Sequence, residues 1–76
     1  MSIKVYSTSS CSHCAEMKQY LDENSIAYEN VDVAINREAA AEMIAKTGKR
    51  AVPVIDIDGE VIVGFEKDKI SQLLNL

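Results

Sequence analysis

The chain has 76 residues, 47% of them hydrophobic, a formal net charge of −4 and two cysteines. That suits one domain, 1–76, near the lower size at which a single core suffices without staples. The negative charge argues against a nucleic-acid face, which needs a basic surface, and no apolar run is long enough to span a bilayer.

Met1-Ser2 leads straight into an alternating stretch rather than a basic-then-apolar leader, so a cytoplasmic protein is expected, in a compartment where lasting structural disulfides are rare. Ile3-Lys4-Val5-Tyr6-Ser7 alternates and is β-branched, the pattern of a strand. Small polar residues to Ser10 form a loop. A helix is expected from Ser12 to about Asn24, with Cys14, Met17 and Leu21 on one face. Cys14 then points inward, and Cys11 falls just before the first turn.

Ile26 to Val33 reads as a second strand, with Tyr28 and Val31 prominent. Asn36 can cap a helix that runs to Thr47 and ends at Gly48. Ala39, Ala40, Met43 and Ile44 give that helix its apolar face. Val52 to Ile57, opened by Pro53, and Glu60 to Gly64 are apolar runs around Asp58-Gly59, a strong hairpin signal. A last helix is expected from about Lys67 to Asn75, with Ile70, Leu73 and Leu74 facing inward. The order is β-α-β-α-β-β-α. The first two strands should be parallel, because a helix joins them, and the hairpin adds an antiparallel pair. The fold class is therefore α/β, a four-stranded mixed sheet flanked by three helices.

Cys11, His13 and Cys14 lie in "STSSCSHCAE" at 7–16, which holds every cysteine and histidine of the chain. A stapling disulfide is a weak reading, because so short a loop removes little chain entropy. A closed zinc site needs four ligands, and these residues supply at most three. An iron–sulfur cluster shared between two chains stays open, since clusters take thiolate ligands. A redox couple uses every feature. A thiol at a helix N-terminus meets unpaired N–H groups that favour the thiolate. Cys11 could attack a partner's disulfide, and the more buried Cys14 could then resolve the mixed disulfide. His13 has two readings: a solvent-facing helix residue, or an imidazole whose charge stabilises the thiolate and makes the couple more oxidising.

"VYSTSSCSHC" at 5–14, "TGKRAVPVI" at 47–55 and "DGEVIVGF" at 58–65 resemble the glutaredoxins, within the thioredoxin fold, over nearly the whole chain. The resemblance implies that Cys11 is the nucleophile, Cys14 the resolving cysteine and Pro53 a cis-proline beside them. It also implies that Val52 pairs with a bound peptide or glutathione in a strand-like manner. Glutathione-using members usually carry a lysine where this chain has Thr8, and Pro-Tyr where it has Ser12-His13. They also tend to have a Gly-Gly-x-Asp-Asp-like stretch where it has Gly64-Phe65-Glu66-Lys67-Asp68. Only Lys49 or Arg50 is left as a carboxylate contact. Gly64-Phe65 is similar to the NrdH-type and YruB-type glutaredoxin-like redoxins, although Phe65 could equally be a core residue capping the sheet.

The expectation is a monomeric dithiol–disulfide oxidoreductase with no bound cofactor, its redox group being the cysteine pair. Its electrons would come from NADPH via thioredoxin reductase, or from glutathione. Its downstream partners would be disulfide-bearing proteins such as ribonucleotide reductase or a peroxide-reducing thiol enzyme. A glutathione-dependent glutaredoxin and a cluster-binding carrier are the alternatives.

Overall fold

Alternation sets β1 (Ile3–Ser7) at the centre of the molecule, where Val5 and Tyr6 are both fully buried on opposite faces. The computed structural model describes residues 2–76. After β1 come α1 (Ser12–Glu23), β2 (Glu29–Asp32), α2 (Arg37–Thr47), β3 (Val54–Ile57), β4 (Glu60–Val63) and α3 (Lys67–Leu74). The sheet order is β2-β1-β3-β4; β1 is parallel to β2, and the β1–β3 and β3–β4 pairs are antiparallel. This is the mixed, thioredoxin-type sheet that the element order predicts.

The expected caps are present on α2. Asn36 Oδ1 accepts the Ala39 N–H at 3.0 Å, and Gly48 closes the helix with its N–H on the Ile44 carbonyl at 2.7 Å. The Asp58-Gly59 link is the tight turn expected. Both residues have positive φ, 51° and 94°, which matches the strand twist and favours glycine at the second position.

Four strand boundaries differ from the sequence reading, the smallest being the end of the second strand at Asp32 instead of Val33. The second strand begins at Glu29, not Ile26. The reason lies at the end of α1, where Ser25 adopts a left-handed φ of 57° and donates to the Asp22 carbonyl at 3.1 Å, and the Ile26 N–H reaches back to the Leu21 carbonyl at 2.9 Å. That paired closure is a Schellman motif, so Ile26 finishes the helix instead of starting the strand. Ile26 and Tyr28 still pack against the core. Pro53 lies just ahead of β3 rather than inside it, and Gly64 lies just past β4.

The two faces of the sheet are built differently. On one, Met17 and Leu21 of α1 and Ile70 and Leu74 of α3 cover Val5, Ile55 and Ile62. On the other, α2 brings Ala39 and Met43, with Ile44 half-buried beside them, against Tyr6, Val31 and Val54. Charge completes that thinner layer. The buried Tyr6 hydroxyl donates to Glu42 Oε1 and accepts from Lys46 Nζ at 2.9 Å. Lys46 also reaches Asp56 at 2.6 Å and Glu42 at 3.2 Å, and Lys4 reaches Glu42 at 3.0 Å.

The Tyr6 hydroxyl, followed by Lys4 and Lys46, holds the Glu42 carboxyl well below its ordinary 4.5, at about 2. A carboxyl depressed in the folded state contributes stability that is complete above its unfolded value and is lost as pH falls through its folded value. Glu42→Gln is therefore expected to lower the thermal midpoint at neutral pH. The gap to the unaltered protein should narrow between about pH 4.5 and 2 and close below that. A gap that stays constant into acid would show that the carboxylate charge is not what stabilises α2.

Candidate active site

The antiparallel pairings bring three chain segments to one end of the sheet. Tyr6, near the end of β1, lies beside Val54 at the start of β3, and Val54 lies beside Val63 at the end of β4. The loop that carries Cys11, the Val52-Pro53 step and Gly64-Phe65 all gather there.

β1 ends at Ser7, a buried polar side chain whose hydroxyl donates to Asn30 Oδ1 at 2.7 Å. The chain turns within four residues, with the Cys11 N–H on the Thr8 carbonyl at 3.4 Å. Cys11 then takes the N-cap position of α1 with extended backbone, φ −95° and ψ 114°. Its Sγ accepts the Cys14 N–H at 3.2 Å, as a serine or aspartate oxygen does at other helix starts.

Cys11 is half-buried and Cys14 is completely buried; neither is in a disulfide. Burial pushes the Cys14 thiol up to about 11, and hydrogen bonding to the Cys11 sulfur adds to this. The Thr8 backbone and the Lys18 charge oppose the shift. Sequence reasoning missed Thr8 in this part, because a backbone N–H leaves no signature in residue identity.

His13 stands on the solvent side of α1. Its side chain is 73% exposed and its Nδ1 lies 3.9 Å from Glu16 Oε1. Among the described residues no group of three or more His, Cys, Asp or Glu side chains gathers as a metal site.

The Val52–Pro53 bond is cis and Pro53 is buried. Its carbonyl accepts the Gly64 N–H at 2.7 Å, so the ends of the β3 and β4 segments are tied together beside the cysteine loop. Gly64 has φ 86°, with nothing within 4 Å of where a Cβ would stand. The backbone conformation, not lack of room, is what favours glycine there.

Phe65 follows and packs against the core, its ring 5.8 Å from that of Tyr20 and tilted by 55°. Lys67 holds its ammonium 5.2 Å from the centre of the same Tyr20 ring. Both departures from the glutathione-type pattern are therefore anchored on α1. Lys49 and Arg50 part company. Lys49 borders a groove beside β4 and α3, while Arg50 borders one formed by Val33, Arg37 and the α2 residues Ala40, Ala41 and Ile44.

The glutaredoxin family model matches residues 3–62. The chain belongs to the glutaredoxin family. A glutaredoxin-like 8.6 kDa protein in the rubredoxin operon of Clostridium pasteurianum is 42% identical over 72 residues, 95% of this chain and 96% of that one. The glutaredoxin-like protein NrdH of Lactococcus lactis is 31% identical over 71 residues, 93% of this chain and 97% of that one. Among solved structures, the NrdH-redoxin of Escherichia coli superposes with a TM-score of 0.84 at 29% identity, covering 96% of this chain and 95% of that one. Family membership supports thiol–disulfide redox chemistry. Among the described residues no helix is long and apolar enough to cross a membrane.

The glutaredoxin-like pair should be unequal in reactivity. With iodoacetamide at neutral pH, peptide mapping is expected to find Cys11 modified well before Cys14. In Cys11→Ser, modification of Cys14 should stay slow at neutral pH and rise in alkali, because burial, the largest cause of its raised value, remains and the thiolate is the nucleophile. Rapid labelling of Cys14 with Cys11 spared would reverse the assignment of roles.

Proposed function

We propose that this glutaredoxin-like chain is a cytoplasmic dithiol–disulfide oxidoreductase that reduces protein disulfides through Cys11 and Cys14. The observation that carries the reading is the placement of the two sulfurs: Cys11 half-buried at the N-cap of α1, accepting a helix amide, and Cys14 buried one turn on.

The chemistry follows in two exchanges. Cys11 attacks one sulfur of the partner's disulfide as a thiolate; the partner's S–S bond breaks, a mixed disulfide forms, and the departing sulfur takes up a proton. Cys14 then gives up its proton and attacks the Cys11 sulfur. The partner leaves as a dithiol, and the chain is left with a Cys11–Cys14 disulfide, two electrons poorer. Half-buried Val52, beside the buried Pro53, offers its backbone to an extended partner segment, with Gly64-Phe65 bordering the approach and Arg50 reaching it from the α2 side.

For the electron source, the same reading takes thioredoxin reductase with NADPH over glutathione. Glutathione carries two carboxylates and one amine, so a dedicated site must supply charged partners and open backbone. Thr8 supplies no cation. Phe65 fills space beside Tyr20, and Lys67 places a cation at the start of α3. Ribonucleotide reductase and peroxide-reducing thiol enzymes fit as downstream partners, in keeping with relatives named NrdH.

Two measurements check this. Cys11→Ser is expected to abolish reduction of protein disulfides, and Cys14→Ser to accumulate a mixed disulfide on Cys11, visible by mass spectrometry. Full activity in Cys14→Ser would end the two-cysteine mechanism. Separately, the oxidised protein is offered glutathione with glutathione reductase, or thioredoxin reductase with NADPH. Faster turnover with thioredoxin reductase is expected. If glutathione is the faster donor, the chain is an ordinary glutathione-dependent glutaredoxin. Lys67→Asp, which leaves the core untouched, should move the ratio toward glutathione.

A further inference from the structure

We propose that the outer edge of β4 pairs, antiparallel, with the same edge of a second copy of this chain, joining the two sheets into one. This departs from the monomer that the sequence suggests and is independent of the redox reading.

The sheet order leaves two edges, β2 and β4. They are not equally guarded. β2 reads Glu29-Asn30-Val31-Asp32, and two such strands side by side would set carboxylates against each other. β4 reads Glu60-Val61-Ile62-Val63, with no charge after its first residue, no proline, and an unbroken register with β3. Apart from its short length and the charge of Glu60, the strand carries none of the usual devices that blunt an edge.

The free groups on that edge can be named. The two-residue turn at Asp58-Gly59 makes Ile57 and Glu60 a hydrogen-bonded pair. Alternation makes Ile55 and Ile62 the next, and the Gly64 N–H on the Pro53 carbonyl at 2.7 Å continues the series. Glu60, Ile62 and Gly64 therefore turn their N–H or C=O groups toward β3. The N–H and C=O of Val61 and of Val63 point away from the sheet.

Such an edge is complementary to itself. In an antiparallel pair centred on Ile62, Val61 of one copy faces Val63 of the other, and each exchanges both of its backbone hydrogen bonds. The same register sets Glu60 opposite Gly64 of the second copy, not opposite another carboxylate.

The surroundings agree in charge. The groove of about 510 Å³ along this edge is bordered by Lys49, Lys69, Glu60 and Glu66, with Val61, Val63 and Leu73 between them. Two cations balance two carboxylates, so this patch is neutral on a chain of net charge −4. A second copy meets less repulsion here than at the acidic β2 edge. Cys11 follows β1, two strands in from this edge, so pairing leaves the cysteine loop free and meets the proposed partner approach only at Gly64. The patch is small, so the association is weak and concentration-dependent.

Sedimentation of the reduced protein, from micromolar to millimolar, tests this. The mass is expected to move from 8.4 kDa toward twice that, and amide exchange at Val61 and Val63 to slow over the same range. Val61→Lys puts a charge on the edge and should weaken association at least tenfold, with circular dichroism confirming that the fold is kept. A mass of 8.4 kDa at every concentration overturns the proposal. So does association that Val61→Lys leaves unchanged while the Val61 and Val63 amides exchange freely. Protection of those amides only when an unrelated extended peptide is added would assign the edge to a different strand, and would also overturn it.

Discussion

A strand that ends buried at Ser7 and a helix that starts at Ser12 leave four residues to turn the chain, and the first amides of that helix need acceptors. The Cys11 sulfur supplies one by receiving the Cys14 N–H. Loss of a side-chain cap typically costs about 0.5–2 kcal/mol, so this contact is a structural term as well as a chemical one. It fixes where α1 begins, and so which helix residue comes one turn later on the inner face. That residue is Cys14, followed along the same stripe by Met17 and Leu21, all three with no exposed surface. A single N-cap thus holds one sulfur at the surface, buries the other and starts the packing of α1 on the sheet.

The opposite wall depends on a second tie. Pro53 has no N–H to give to the ladder, but its carbonyl is free, and the Gly64 N–H takes it up. The β3–β4 hairpin is thereby extended one pair beyond its regular strands, to the edge of the cysteine loop. Phe65 and Lys67 then turn back onto Tyr20 of α1. The start of α3 is joined to α1 by this aromatic contact and by the hydrogen bond between Tyr20 and Ser71 hydroxyls. The reactive end is bounded on both sides by contacts to α1, the element that carries the cysteines.

What the sequence made legible was local. Asn36, Gly48 and Asp58-Gly59 each act within a few residues of themselves, and each stands where its chemistry predicts. Cys11 and Cys14 could be placed from the spacing of Met17 and Leu21 alone. The start of β2 was not legible, because the Schellman closure uses Ser25 in a conformation for which glycine is the usual signal. The Tyr6 network was missed because its partners lie 36 and 40 residues away in Glu42 and Lys46. The one available hint was that those two residues stand four apart, on one face of α2. The cis bond at Pro53 came from the family likeness, since no composition or periodicity distinguishes the two isomers.

That unforeseen network bears on the site from behind. α2 rests on the sheet through Ala39, Met43 and a half-buried Ile44, with an ion-paired network beside them. Exposed ion pairs taken singly contribute little. Here they converge on a buried Tyr6 hydroxyl, and leaving such a group without a partner costs roughly 1–3 kcal/mol. Lys46 and Glu42 are therefore bound to one place, and Lys46 carries the last turn of α2 onto Asp56 of β3. Thr47, the next residue, bonds through its hydroxyl to the Met43 carbonyl and to the backbone of Lys49. The short passage from Gly48 to Pro53 is thus held at its helical end by a salt-bridged lysine and a threonine, and at its strand end by Gly64. The passage that ends at Val52-Pro53 is tied to charges on the α2 face of the sheet, so a small chain holds it without adding a residue to the loop between β1 and α1.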